Sequence, residues 1–368
     1  MIISGGGTGG HIFPAIAIAN ALKAKVKDIE ILFVGAEGRM EMEKVPAAGY
    51  KIEGLWISGL QRKLTIKNLV FPFKVMSSLI KAKKILKRFK PDVVIGTGGY
   101  ASGPMLRVAA NNGVPTLIQE QNSFPGITNK ILSKKVNRIC VAYEGMDDYF
   151  PKEKIVLTGN PVRQDITALV GKRARGLETF NLTGEKKIVL VMGGSLGART
   201  INESIAACLD DLVKRNIQLV WQTGKGFFET AKALAKKYET NGIRVYDFIS
   251  KMDQAYAVAD AVVSRAGAIS VSELCLVKKA TILIPSPNVA EDHQTKNAMA
   301  LVNHHAAILI KDKDANKELG KEIISLIGDK DRMDKLENNI AKLAFQNSAD
   351  VIASEVLQLI NQISNKAI

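Results

Sequence analysis

The residues best placed to do chemistry stand in two glycine-rich loops, one in each half of the chain. In the first, Gly5, Gly6, Gly7, Gly9 and Gly10 surround Thr8, and His11 follows at once. The second is Gly193-Gly194-Ser195-Leu196-Gly197. Glycine lets a backbone approach an anion closely, and a following helix supplies unpaired N–H groups and the positive end of its dipole. Each loop therefore reads as a phosphate cradle. Imidazole can accept a proton near neutral pH, so His11 is a candidate general base or anion contact. A helix-capping or core histidine is the other reading. Gly5, Gly7 and Gly10 also fit the dinucleotide spacing GxGxxG, which is weak by itself. Val34-Gly35-Ala36 stands where that fingerprint needs an acid, so nicotinamide or flavin chemistry is not expected.

The second half adds Ser264-Arg265-Ala266-Gly267-Ala268, read as a strand end and tight turn with a helix starting near Ser270. Such a turn can hold a diphosphate. Glu273, about one helical turn further on, can accept hydrogen bonds from a pair of ribose hydroxyls, or it can simply complement the helix dipole. Gln294 carries both donor and acceptor, as paired sugar hydroxyls require, although alone it is also an ordinary helix-start residue.

These loops need strands to hold them. Apolar runs at Met1–Ile3, Ile29–Val34, Pro91–Ile95 and Pro115–Glu120 alternate with helical patterns. The third run leads into a further glycine loop, Gly96-Thr97-Gly98-Gly99-Tyr100, and the fourth into Gln121-Asn122-Ser123. Strand–helix alternation predicts a parallel sheet with helices on both faces. Ligands then bind beyond the carboxyl ends of the strands, where the loops should converge. Leu157 to Arg163, with Gly159-Asn160-Pro161, interrupts the periodicity and reads as a connector. Strands are expected again at Ile188–Met192, Gln218–Gln222, Ile243–Tyr246, Ala261–Ser264 and Thr281–Pro285. The fold class is thus α/β, with two Rossmann-like doubly wound domains facing a cleft. Their bounds are 1–160 and 161–348, with an amphipathic helix at about 349–368 expected to pack back on the first.

Composition narrows the classes. The chain has 368 residues, 46% of them apolar, which is enough for two cores and argues against disorder. A formal charge of +15 predicts an anionic partner. Cys140, Cys208 and Cys275 are scattered among apolar residues, so neither a disulfide framework nor a zinc site is expected. No signal peptide is read, and no stretch reaches the roughly 20 apolar residues of a membrane span.

Between Arg62 and Lys90 there are ten Lys or Arg and no Asp or Glu, interleaved with Phe71, Phe73 and aliphatic residues. A basic, apolar, amphipathic segment of this kind reads as a membrane-surface element, with Lys81, Lys84, Lys87 and Arg88 toward anionic lipid. An ordinary helix with one core face and one lysine face is the alternative. No nucleic-acid recognition motif is evident.

Six of these motifs, in order and at the right spacing, resemble the bacterial undecaprenyldiphospho-muramoylpentapeptide β-N-acetylglucosaminyltransferases of peptidoglycan synthesis, the MurG family. They are Gly5 to His11, Gly96 to Tyr100, Glu120-Gln121-Asn122, Gly159 to Arg163, Gly193-Gly194-Ser195 and Ser264 through Glu273. The resemblance spans essentially the whole chain. It implies the two-domain glycosyltransferase B architecture. The implied reaction is inverting, metal-independent transfer of N-acetylglucosamine from UDP-N-acetylglucosamine to the muramoyl 4-hydroxyl of lipid I.

By resemblance, Glu273 binds the ribose and the Ile249 backbone reads the uracil. Arg163, Ser195 and the Arg265–Ala268 loop surround the diphosphate, and Gln294 holds sugar hydroxyls. Gly7, Thr8, Gly9 and Asn122 approach the sugar from the other side. Gly6, Gly10, Gly98, Gly99 and Tyr100 receive the acceptor diphosphate, and His11 is the base. The resemblance implies no cofactor. It places the protein at the cytoplasmic face of the inner membrane, with lipid I, anionic lipids and cell-wall synthesis proteins as partners. A UDP-sugar 2-epimerase of the same fold and a non-catalytic nucleotide-binding scaffold remain as alternatives. Asp312-Lys313-Asp314 and Asp329-Lys330-Asp331 mimic the DxD metal signature of another transferase class. Neither ends an apolar strand, so both read as solvated turns.

Overall fold

The computed structural model describes residues 1–59, 69–163, 166, 168–194 and 196–364. It divides into one unit of Met1–Val162 with Asn347–Ile368, and a second of Arg163–Gln346.

The first unit runs β1 (Ile2–Gly5), α1 (Gly9–Lys25), β2 (Leu32–Ala36), α2 (Glu41–Ala47), β3 (Lys51–Leu55) and α3 (Phe71–Phe89). It continues with β4 (Val94–Gly98), α4 (Ser102–Asn111), β5 (Thr116–Glu120), α5 (Ile127–Ser133), β6 (Arg138–Val141) and β7 (Ile155–Leu157). All seven strands are parallel, in the order β3-β2-β1-β4-β5-β6-β7. Helices cover both faces, so the central strands are apolar throughout rather than alternating. Ile2, Val94 and Ile118 meet Ile85 of α3 and Met105 of α4 on one face. Ile3, Ile95 and Leu117 meet Ile12, Ile18 and Leu22 of α1 on the other. The last helix (Ser348–Ser364) buries Ile352, Ala353 and Val356 in that second layer. Arg138 and Glu355, 3.3 Å apart, tie it to β6.

The second unit runs α6 (Lys172–Thr179), β8 (Ile188–Met192), α7 (Arg199–Lys214), β9 (Gln218–Gln222), α8 (Phe228–Ala235), β10 (Ile243–Tyr246) and α9 (Met252–Val258). After these come β11 (Ala261–Ser264), α10 (Ala268–Val277), β12 (Ala280–Leu283), α11 (His293–Val302), β13 (Ile308–Leu309), α12 (Ala315–Gly328) and α13 (Lys330–Ala341). Its parallel sheet has the order β10-β9-β8-β11-β12-β13. Each sheet reverses direction of winding beside its first strand, at β1/β4 and β8/β11, which is where such sheets place ligands.

Several sequence expectations shift. β2 starts at Leu32 rather than Ile29, and β4 runs through Gly96, Thr97 and Gly98, so the third glycine loop is half strand. α10 starts at Ala268 rather than near Ser270, because the extended Gly267 already serves as its N-cap. Four strands escape the sequence patterns: β3, β6, β7 and β13. They lie toward the sheet edges and are short or polar, leaving little periodic signal.

Candidate functional site

In the first unit the neighbouring strands β1, β4 and β5 bring three loops to one sheet end. α1 begins at Gly9, so Gly9, Gly10 and His11 form its first turn, with Thr8 as N-cap. Gly6 N–H donates to the Gly98 carbonyl at 3.3 Å, joining the first loop to the third. Gly98 has φ of 96°, and a Cβ there would stand 2.8 Å from His11 Nδ1, so only glycine lets the imidazole lie against this strand. His11 Nδ1 is 2.9 Å from Gln121 Oε1, and the Thr97 hydroxyl donates to the His11 carbonyl at 2.9 Å. Thr8 is exposed, and Tyr100 is half exposed at the rim.

Two buried carboxylates, Glu41 and Glu120, shape these loops from outside the set of residues expected to bind ligand. Glu41, fully buried, accepts from Gly7 N–H and Ala36 N–H, each at 2.9 Å. Glu120 accepts from Asn122 N–H at 3.0 Å, Asn122 Nδ2 at 3.1 Å, Gly126 N–H at 3.1 Å and Asn129 Nδ2 at 2.8 Å. A buried carboxylate needs such donors to offset its lost hydration. The consequence is that Asn122 is held by Glu120 through both its backbone and its side chain.

In the second unit the loops after β8, β11 and β12 gather at the sheet end. Gly197, with φ of 79°, lies against the Thr223 carbonyl, where a side chain could not fit. Ser195 lies outside the described residues. Glu273 sits in the second turn of α10, accepts from the Tyr256 hydroxyl at 3.0 Å and pairs with Arg163 at 3.7 Å. Burial, with the neighbouring Glu273 charge, raises the Tyr256 phenol well above its ordinary range, so it stays protonated and donates. Gln294 Oε1 accepts from Ala266 N–H at 3.3 Å and Ser286 N–H at 2.9 Å. The acceptor end of this amide is therefore engaged, and its NH2 end is the one to offer a ligand. Asn297 Nδ2 donates to the Ala266 carbonyl at 3.3 Å, so α11 holds the turn from both sides. Ile249 N–H donates to Gln222 Oε1 at 3.0 Å.

Residues 1–141 match the glycosyltransferase family 28 N-terminal domain, and residues 188–356 match the C-terminal domain of the same family. The chain belongs to glycosyltransferase family 28. Within it, the chain is 57% identical to the UDP-N-acetylglucosamine–N-acetylmuramyl-(pentapeptide) pyrophosphoryl-undecaprenol N-acetylglucosamine transferase of Cytophaga hutchinsonii, covering 98% of this chain and 97% of that one. The Flavobacterium psychrophilum protein of the same name is 55% identical, with 98% and 97% covered. Among solved structures, Acinetobacter baumannii MurG superposes with a TM-score of 0.79 at 27% identity, covering 97% of this chain and 99% of that one. A UDP-GlcNAc 2-epimerase from Neisseria meningitidis reaches 0.66 at 15% identity, with 97% and 99% covered, a likeness of fold alone.

The family 28 enzyme departs from expectation at two surfaces. Asp312 is not a solvated turn residue: it binds the Arg265 guanidinium and accepts from the Thr200 hydroxyl at 2.9 Å. Arg265 also donates to the Ile284 and Pro285 carbonyls, at 3.0 and 3.1 Å, so its charge braces the loop after β11. Asp329 instead caps α13, accepting from Arg332 N–H at 2.9 Å.

The basic segment is described from residue 69 onward, so Arg62, Lys63 and Lys67 lie outside the described residues. α3 buries Ser78, Ala82, Ile85 and Leu86 on one face. Phe73 is 70% exposed, Met76 60% and Ile80 52%, and together they form a second, uncovered apolar stripe. Lys81 pairs with Glu37 at 2.9 Å and Arg88 with Glu53, whereas Lys83, Lys84 and Lys87 are exposed. Among the described residues no helix is long and apolar enough to cross a membrane.

Proposed function

We propose that this chain transfers N-acetylglucosamine from UDP-N-acetylglucosamine to the muramoyl 4-hydroxyl of lipid I, releasing UDP and forming lipid II. The observation that carries this reading is full-length kinship at 57% identity to a transferase of that name.

The second unit binds the donor. Glu273 accepts hydrogen bonds from the ribose, while Arg163, Ser195 and the turn Arg265–Ala268 surround the diphosphate. The backbone N–H groups and dipole of α10 stabilise negative charge as UDP departs. The Ile249 carbonyl reads the uracil, since its N–H is given to Gln222. The Gln294 NH2 group donates to sugar hydroxyls. In the first unit Gly6, Gly10, Gly98, Gly99 and Tyr100 receive the acceptor diphosphate. Gly7, Thr8, Gly9 and Asn122 serve the sugar being transferred.

The reaction is a single displacement. The 4-hydroxyl oxygen bonds to C1 as the C1–O bond to UDP breaks on the opposite side, inverting the centre. The hydroxyl proton goes to His11. A positioned base of this kind contributes roughly 10²–10⁴-fold. The exposed stripe of α3, with Lys83, Lys84 and Lys87, holds the protein peripherally on anionic lipid at the cytoplasmic face, where a polyprenyl acceptor is reached.

The test is transfer of labelled sugar from UDP-N-acetylglucosamine to a short-chain lipid I analogue, with and without chelator. Chelator-insensitive product is expected. No product despite tight UDP binding would overturn the acceptor assignment, and formation of the 2-epimer would favour the epimerase reading.

A further inference from the structure

The side chain beside His11 belongs to a buried amide chain. Gln121 is 1% exposed, Gln119 fully buried and Asn160 2% exposed. Gln121 Nε2 donates to the Thr97 carbonyl at 2.8 Å, to the Gln119 carbonyl at 3.1 Å and to Gln119 Oε1. Gln119 Nε2 in turn donates to Asn160 Oδ1 at 2.9 Å, and Asn160 Nδ2 donates to the Gln121 carbonyl at 2.9 Å.

This chain has one consistent direction. Flipping the Gln121 amide would set its oxygen against two backbone carbonyls, which cannot donate, and would leave buried acceptors facing one another. The oxygen must therefore point at His11. An amide oxygen only accepts, so His11 Nδ1 must carry the hydrogen. Gly98 closes the same edge of the ring.

We infer that Gln121 is a positioning residue: it locks the neutral His11 imidazole as the Nδ1–H tautomer, leaving Nε2 as the nitrogen that takes the proton of the attacking hydroxyl. The functional half of this inference rests on the base role proposed for His11. The tautomer half does not, because it follows from the amide chain alone. The inference extends to the connector, since Asn160 of Gly159-Asn160-Pro161 fixes Gln119 and through it Gln121. Nothing in the local sequence around His11 marks this arrangement, which is built from β4, β5 and the connector.

The experiment is long-range ¹H–¹⁵N NMR of the histidine side chains in the full-length protein above neutral pH, with the His11 signals identified by their loss in His11→Ala. The Nδ1–H pattern is expected in the native protein, and an Nε2–H pattern would overturn the inference. In Gln121→Met, similar in length but with only a weak thioether acceptor in place of the amide oxygen, the pattern should move toward Nε2–H. Turnover should fall on the order of tenfold while the KM for UDP-N-acetylglucosamine stays within about twofold, since the proton transfer and not donor binding is affected. An unchanged tautomer in that variant would also overturn the inference. The native measurement decides the matter even if Gln121→Met folds poorly. A native Nδ1–H pattern together with a fully active His11→Ala would support the tautomer assignment and overturn the base role.

Discussion

Glu273, the residue proposed to bind the ribose, has its geometry set by a second side chain. The Tyr256 hydroxyl, buried and kept protonated by that burial, donates to one carboxylate oxygen while Arg163 approaches the other. In the proposed site a ribose is received by a carboxylate that is already aimed. Tyr256→Phe removes the aim without altering charge, and the loss of one hydrogen bond to a charged group costs about 1.5–3 kcal/mol. We expect the Kd for UDP, read by calorimetry, to rise roughly tenfold to 150-fold. An unchanged Kd would mean that Arg163 alone holds the carboxylate. The placement of Glu273 was legible in the sequence, because it follows a strand, a glycine turn and a helix start. Tyr256 was not, since it lies on another helix and its hydroxyl reaches the site only through the fold. Glu41 and Asn297 escaped for the same reason. The cysteines show the reverse: their apolar neighbours announced burial, and that burial pushes the Cys208 and Cys275 thiols up to about 12.

At the scale of elements, close packing and display compete. α7 and α12 approach so closely that a Cβ on Gly320 would stand 2.6 Å from Cys208 Cβ. Gly320→Ala should therefore destabilise the second unit, by about 1–3 kcal/mol for an overpacked helix contact, although alanine is the better helix former. Chemical denaturation would read this, and a stabilised variant would show that the helices can part at little cost. UDP binding to the remaining folded protein should be unchanged, because α12 takes no direct part in the proposed site. α3 illustrates display. Its buried face accounts for Ala82, Ile85 and Leu86, but Phe73, Met76 and Ile80 follow the same helical period on a different side. The sequence revealed an amphipathic basic segment and left two readings open. The structure has both features, a core face and a separate exposed apolar stripe, because a helix has circumference enough for each.

For the whole molecule, a charge of +15 acts over distances that no single contact covers. Attraction to an anionic surface should weaken as salt shortens the Debye length, to about 8 Å near physiological ionic strength, whereas insertion of an apolar stripe should resist salt. Phe73→Ser combined with Ile80→Ser should therefore abolish the salt-resistant part of binding to phosphatidylglycerol vesicles in a flotation assay and leave UDP affinity intact. Vesicle binding as tight as native would remove α3 from the membrane contact. Much of this molecule was determined by sequence alone. The doubly wound class, the glycine loops at strand ends and the amphipathic C-terminal helix follow from apolar periodicity and turn chemistry, which act between residues near one another in the chain. Tertiary structure decided what those local rules cannot reach: that Asp312 braces Arg265, that buried carboxylates organise the loops, and which nitrogen of His11 faces outward. The last depends on Gln121, 110 positions away, and on backbone carbonyls that orient its amide only once β4 and β5 lie side by side. Hydrogen bonds are directional and short-ranged, so the protonation geometry of a site exists only when the strands that carry its partners have been assembled.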